Sequence, residues 1–201
     1  MTLIIDTKSQ KKWNNIYSDQ SAASFEPSRI LLENEHLFPK EGKALDLACG
    51  LGADAFFLAS RGLRVEAWDI SDVVVDKINT MADKEGLSVQ ASARDLSNIS
   101  VEKNSFDLIN IAHYLDRSLV NTIVHALAPG GLLFYQTFTQ TVTDAYSGPG
   151  NPDFRLSSGE LLELFSDLKL LVYREEALVG DVNRGFRNEA LFIGQKPRAG
   201  S

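Results

Sequence analysis

The chain has 201 residues, with 20 Lys and Arg against 27 Asp and Glu, a net charge of −7 and 44% hydrophobic residues. At about 100–200 residues per domain, one ordinary domain over residues 1–201 is expected, and the mixing of 23% charged with 44% apolar residues excludes a disordered chain. A single cysteine, Cys49, excludes an internal disulfide, and the acidic balance argues against a nucleic-acid partner. No apolar stretch approaches the ~18 residues of a membrane span, and the first residues turn polar too soon for a signal peptide, so a cytoplasmic protein without a membrane partner is expected.

Residues 1–40 read as a helical extension with patterns at 10–17 and 27–37; Pro27 suits a first helical turn, and Pro39 precedes the first strand. From there strands and helices alternate. Residues 43–48 (KALDLA) are a short apolar run that stops at glycines. Residues 53–61 read as a helix with Ala55, Leu58 and Ala59 on one stripe and Gly62 at its end. A second strand is expected at 63–70, then a helix capped by Ser71 with Val74, Ile78 and Met81 on its inner face. Strands follow at 87–93, 105–112 and 132–138, with a helix at 116–127 before Pro129-Gly130-Gly131.

The rhythm then changes. Residues 139–156, with Gly148-Pro149-Gly150-Asn151-Pro152, form a stretch long enough to be a lid. Ser157-x-x-Glu160 is a capping box for a helix that buries Leu161, Leu164 and Phe165. Strands at 168–175 and 189–196 flank a loop around 180–185, a hairpin signal that brings the last strand in antiparallel. The expected fold is α/β: a doubly wound, Rossmann-like, seven-stranded and mostly parallel sheet with an antiparallel last strand and helices on both faces.

The most informative segment is Ala44-Leu45-Asp46-Leu47-Ala48-Cys49-Gly50-Leu51-Gly52-Ala53-Asp54, a strand running into a glycine turn that opens a helix. Asp69, at the end of the second strand, falls beside that turn in a doubly wound sheet, within reach of two ribose hydroxyls. Two nucleotide classes use this geometry. Gly50 to Ala55 satisfies the dinucleotide pattern G-x-G-x-x-A, which keeps a nicotinamide-dependent oxidoreductase open. Asp46, four residues before Gly50, would repel a diphosphate and favours a cationic, phosphate-free adenosine cofactor.

On these motifs the chain resembles the class I S-adenosylmethionine-dependent methyltransferases from about Trp13 onward. The matching pieces are ALDLACGLGAD, EAWDIS, ARDL, FDLINIAHYLDRSL and LAPGGLLFYQTF, in order. HYLDRSL, TFT and GPGNPDFRLSSGELLELF are similar to the small bacterial members grouped with tellurite-resistance and small-molecule methyltransferases. The resemblance implies S-adenosylmethionine as cofactor. It implies that Asp46 and the loop Ala48, Cys49, Gly50 and Gly52 hold the methionine moiety, and that Asp69 binds the ribose. It further implies that Ile70 packs on the adenine, Asp95 and Leu96 edge it, and Ala112 closes over the ligand. Ala48 departs from the family's usual glycine.

The remaining candidates belong to the acceptor. His113, Tyr114 and Arg117 follow the fourth strand on the ligand-binding edge, with His113 a base if the acceptor must lose a proton. Arg117 either pairs with Asp116 or reaches an anionic acceptor, and Tyr146, Asn151 and Arg155 are lid candidates. Trp13 and Tyr17 are a packing pair or a cofactor cover. Cys49 reads as a small buried filler, and scattered His36, His113 and His125 give no metal site. A small-molecule acceptor such as a thiol or chalcogen oxyanion is expected, with a non-catalytic cofactor-binding module as a further alternative.

Overall fold

A computed structural model of the chain describes residues 7–22, 26–146 and 148–198; residues 1–6 of the expected extension and Ser147 of the expected lid lie outside them. Seven strands form one sheet: β1 (Lys43–Leu47), β2 (Arg64–Asp69), β3 (Val89–Ala93), β4 (Phe106–Ala112), β5 (Leu127–Phe138), β6 (Lys169–Glu175) and β7 (Glu189–Gln195). The helices are α1 (Thr7–Tyr17), α2 (Arg29–Asn34), α3 (Ala53–Ser60), α4 (Asp72–Glu85), α5 (Val120–Ala126) and α6 (Glu160–Leu164). None of the helices in the described residues is long and apolar enough to cross a membrane.

The strand order is β3-β2-β1-β4-β5-β7-β6, parallel from β3 through β5, with β7 antiparallel to both β5 and β6. The expected topology is the observed one. From β1 the chain winds outward to β3 and then restarts at β4 on β1's other side. That reversal opens a crevice at the C-terminal ends of β1 and β4, where open α/β sheets bind ligands.

Successive side chains of a strand face opposite ways. Ala44, Val65, Leu108 and Phe134 pack with Ile30, Leu58, Val74 and Ile78 of α2, α3 and α4. Leu45, Trp68, Ile109 and Leu133 pack with Ile123 and Leu161 of α5 and α6. Polar residues interrupt the first layer. Asp46 is level with Asn110 across β1 and β4, while Gln136 on β5 and Glu189 on β7 share that face nearer the C-terminal edge.

Local expectations hold where local chemistry decides. Ser71 caps α4 by accepting the Val74 N–H at 3.3 Å, and Gly86 ends it in the left-handed region. Others change. Pro27 lies outside the first turn, because Ser28 is the residue that precedes α2. The helix expected at 116–127 is a 3-10 turn, Arg117–Leu119, followed by α5. Buried Leu127 already pairs with Phe106, so β5 begins before the expected 132 and absorbs Pro129-Gly130-Gly131 in a register shift. The capping box is half formed: Glu160 accepts from the Ser157 N–H at 2.8 Å, but the Ser157 hydroxyl donates to Glu160 rather than capping the helix.

Candidate active site

The loop after β1 holds Ala48, Gly50 and Gly52 at φ of +59°, +49° and +81°. This left-handed conformation costs a residue with a Cβ about 1–2 kcal/mol, which is why glycine dominates such turns and Ala48 carries a small strain. Gly52 has a second reason to lack a side chain: a Cβ there would lie 2.9 Å from Ile78 Cγ1. Tyr17 of α1 covers the loop, with its hydroxyl oxygen 3.3 Å from where a Gly50 Cβ would be. Trp13 stacks on Tyr17 at 5.5 Å, so the two rings form both the expected packing pair and a roof. Cys49 is anchored through its N–H to the Trp68 carbonyl at 3.0 Å, and burial with nearby Asp46 pushes its thiol well up, away from reactivity.

Three carboxylates surround the loop. Asp69 accepts the Gly50 N–H and the Ser71 N–H, both at 3.0 Å, so it supports the glycine turn and the start of α4 at once. Two accepted bonds leave lone pairs on both oxygens for further donors. Burial raises its pKa against the opposing pull of those two N–H groups. Asp46, 2% exposed, accepts from Asn110 Nδ2 at 2.8 Å and is held by the Ala55 backbone N–H, while its Oδ2 has no hydrogen bond of good geometry. Burial, then the charge of Asp54, pushes its pKa well above the usual carboxylate value. Asn110 Nδ2 also donates to Asp54 at 2.9 Å, and Asp54 accepts the Ser28 N–H at 2.6 Å. One amide therefore bridges two buried carboxylates.

An orphaned buried carboxylate oxygen is a group waiting for a cation. That chemistry fits the ammonium end of S-adenosylmethionine and conflicts with a diphosphate. Asp46 and the loop would hold the amino-acid end, and Asp69 the ribose.

Beyond Ser28 opens a cavity of about 690 Å³, whose lining includes Ser28, Arg29, His113, Gln136, Thr143 and Glu189. His113 follows β4 at φ +58°, an uncommon conformation for a residue with a side chain. Its Nε2 lies 3.2 Å from Glu189 Oε1, and its ring packs against Phe138 in a tilted arrangement at 5.0 Å. Desolvation pulls the His113 pKa down, but the hydrogen bond and charge of Glu189 win and raise it. Glu189 is pulled below its ordinary value by the same contact and by Gln136, against the desolvation that pushes it up.

Of the other sequence candidates, Ile70, Asp95, Ala112 and Tyr114 are partly buried and Leu96 is buried, all at the crevice edge of β2, β3 and β4. Asp95 Oδ1 accepts from the Ser97 N–H at 3.0 Å. The Tyr114 carbonyl accepts from the Tyr135 hydroxyl at 3.0 Å. Arg117 pairs not with Asp116 but with Glu160, at 2.5 and 3.0 Å, and donates to the Asp153 and Arg155 carbonyls. It anchors the lid. The lid's ends are zipped by Gln140 N–H to Leu156 and Leu156 N–H to Phe138, each 2.8 Å. Thr143, Asp144 and Ala145 line the cavity, whereas Tyr146, Asn151 and Arg155 do not. Asn151 caps a 3-10 turn and Arg155 lies over Tyr146.

Sequence reasoning missed Gln136, Glu189 and the segment around Ser28. The signal for Gln136, and for Asn110, was a polar residue inside an otherwise apolar, buried strand, where each such group needs a partner.

The model of the tellurite resistance protein TehB family matches residues 12–190. The probable S-adenosyl-L-methionine-dependent methyltransferase TehB of Haemophilus influenzae is 25% identical over 153 residues, 73% of this chain and 52% of that protein. A ubiquinone biosynthesis O-methyltransferase of Coxiella burnetii is 23% identical over 136 residues, 65% of this chain and 58% of that protein. The chain thus spans a little over half the length of these relatives. The crystal structure of TehB from Haemophilus influenzae superposes with a TM-score of 0.67 at 22% identity, covering 92% of this chain and 67% of that one. The chain belongs to the TehB family of class I S-adenosylmethionine-dependent methyltransferases.

Proposed function

We propose that this chain is a methyltransferase domain that moves the methyl group of S-adenosylmethionine to a small molecule held in the cavity beside His113. The observation that carries the reading is the hydrogen-bonded chain that ties the cofactor loop to the cavity wall: buried Asp46 with its unpaired Oδ2, Asn110, Asp54 and the cavity-lining Ser28. The volume of about 690 Å³ suits a small organic acceptor rather than a macromolecule. When bound, the cofactor supplies a methyl group on a sulfonium that needs no further activation. The protein's task is alignment and exclusion of water, which supply about 7–11 kcal/mol in well-oriented reactions.

In this reading Asp46 and residues 48–52 bind the amino-acid end, and Asp69 binds the ribose. Ile70, Asp95, Leu96 and Ala112 surround the adenine, and Tyr114 walls the crevice. Arg117 acts through the lid, residues 139–156, rather than on the acceptor. The acidic chain favours neither nucleic acid nor membrane as partner, and the cytoplasm is the proposed compartment. Thiols, hydroxyls and chalcogen oxyanions are the first acceptors to screen with methyl-labelled cofactor. Label transfer to one class supports the reading; labelling of RNA or protein alone contradicts it.

A further inference from the structure

We propose that Glu189 is a positioning residue that makes His113 Nδ1 a general base, so that the acceptor is a molecule that must lose a proton, a thiol or a hydroxyl. This rests on the methyl-transfer reading above and deepens it.

A chain of hydrogen bonds with one polarity leads to His113. The Ile30 N–H donates to Gln136 Oε1 at 2.7 Å, which fixes the orientation of that amide. Its Nε2 must then face outward, and it donates to Glu189 Oε2 at 2.5 Å. The other oxygen of Glu189 meets His113 Nε2 at 3.2 Å. A carboxylate only accepts, so Nε2 carries the proton and Nδ1 is the basic nitrogen of the neutral ring. Among the described residues Nδ1 has no partner.

The surroundings suit a base that meets a substrate. Glu189 is 19% exposed at its side chain and His113 is 45% exposed, so the orienting group is sheltered while the imidazole is open. His113, Gln136 and Glu189 all line the same cavity. The strained backbone at His113 and its tilted packing against Phe138, itself edge-on to Tyr146 of the lid at 5.9 Å, hold the ring in one place.

Glu26 and, from the loop before β7, Arg184 and Arg187 line the same cavity as the pair. Asp54 on α3 acts on His113, Arg29 on α2 acts on Glu189, and Asp144 and Tyr146 stand on the lid side. Glu189 dominates because among the charged groups it alone is hydrogen-bonded to the ring.

The balance is simple. The acceptor's X–H proton goes to Nδ1, and its lone pair forms the bond to the methyl carbon. The electron pair the methyl leaves behind stays on the donor sulfur, and the proton passes from the imidazolium to solvent. An anionic chalcogen would need no such base, so the dyad has a purpose only for a protonated acceptor.

The test is an NMR titration of the His113 imidazole in the full chain, for the unaltered protein and for Glu189→Gln. We expect His113 to titrate above ~6.5 in the unaltered protein and about one pH unit lower in Glu189→Gln, a tenfold change in proton affinity. The acid limb of kcat/KM for a thiol or phenol should move by the same amount. An equal titration in both proteins overturns the dyad. So does a value at or below ~6.5 in the unaltered protein, which needs no variant to fold. A rate that ignores pH across the His113 titration overturns its role as base. Failure to bind S-adenosylhomocysteine, with the titration as expected, sinks methyl transfer and the acceptor class while the pairing itself stands.

Discussion

Asp46 is the residue on which the proposed cofactor binding and stability oppose each other. Its carboxyl group is buried with one oxygen unpaired and Asp54 across the shared Asn110 amide, and both burial and Asp54 oppose its ionisation. Asp46→Asn removes the ionisable group and keeps an acceptor for Asn110. The ligand-free variant should gain about 1 kcal/mol, roughly 2–4 °C in Tm for a chain this size. Its affinity for S-adenosylhomocysteine should fall at least about tenfold, because the cofactor's ammonium loses its partner. Thermal melts and calorimetry together check both halves. A variant that melts lower and binds equally well would contradict the assignment. The Asp46 and Asp69 placements were legible in the sequence, since strand order alone brings the ends of β1 and β2 together. The roles of Asp54 and Glu189 were not. Their partners lie 26 to 76 positions away, and no local pattern records a pairing between distant polar side chains.

At the scale of elements, α1 is a roof held by capping rather than by a deep core. Lys77 Nζ on α4 donates to the carbonyls of Tyr17, Ser18 and Gln20 at 2.6–2.7 Å, closing the C-terminal end of α1. Asn14 adds bonds to Asp72 and to the Ser71 hydroxyl, both 2.6 Å. Lys77→Met keeps the apolar stem and deletes three charge-assisted bonds. Amide exchange in α1 should accelerate by at least about tenfold, given 1.5–3 kcal/mol per bond to a charged group, while the sheet's protection stays unchanged. Uniform acceleration across the chain would mean that α1 is integral to the fold. The seven strands were legible because buried parallel strands are apolar runs closed by glycine or polar turns. The start of β5 was not, because Pro129-Gly130-Gly131 looks like a strand's preface. Tertiary pairing of Leu127 with Phe106 carries the strand through it.

For the whole molecule, the titrating groups fix the sign of the pH dependence. Asp46 and Asp69 have raised pKa values, so their burial is favourable when protonated and that contribution is lost as pH rises through the folded values. His113 is also raised, so its contribution is present at low pH and fades through its folded pKa. Glu160 and Glu189 are lowered and contribute above the ordinary glutamate range, with loss only as pH falls through their folded values. The ligand-free protein should therefore melt higher near about pH 6 than near about pH 8, and lose stability again below about pH 4. A ligand-free Tm that rises from the first of those pH values to the second would contradict the raised pKa of His113.

Calorimetric titration with S-adenosylhomocysteine, with NADH as the parallel ligand, bears most directly on the cofactor assigned to the loop at 48–52. Binding of S-adenosylhomocysteine at about micromolar Kd, roughly −8 kcal/mol, without measurable NADH binding is the expected result. Asp69→Ala should weaken it by about 1–3 kcal/mol. Binding of NADH alone would restore the dinucleotide reading of Gly50 to Ala55 and contradict the site described for Asp46.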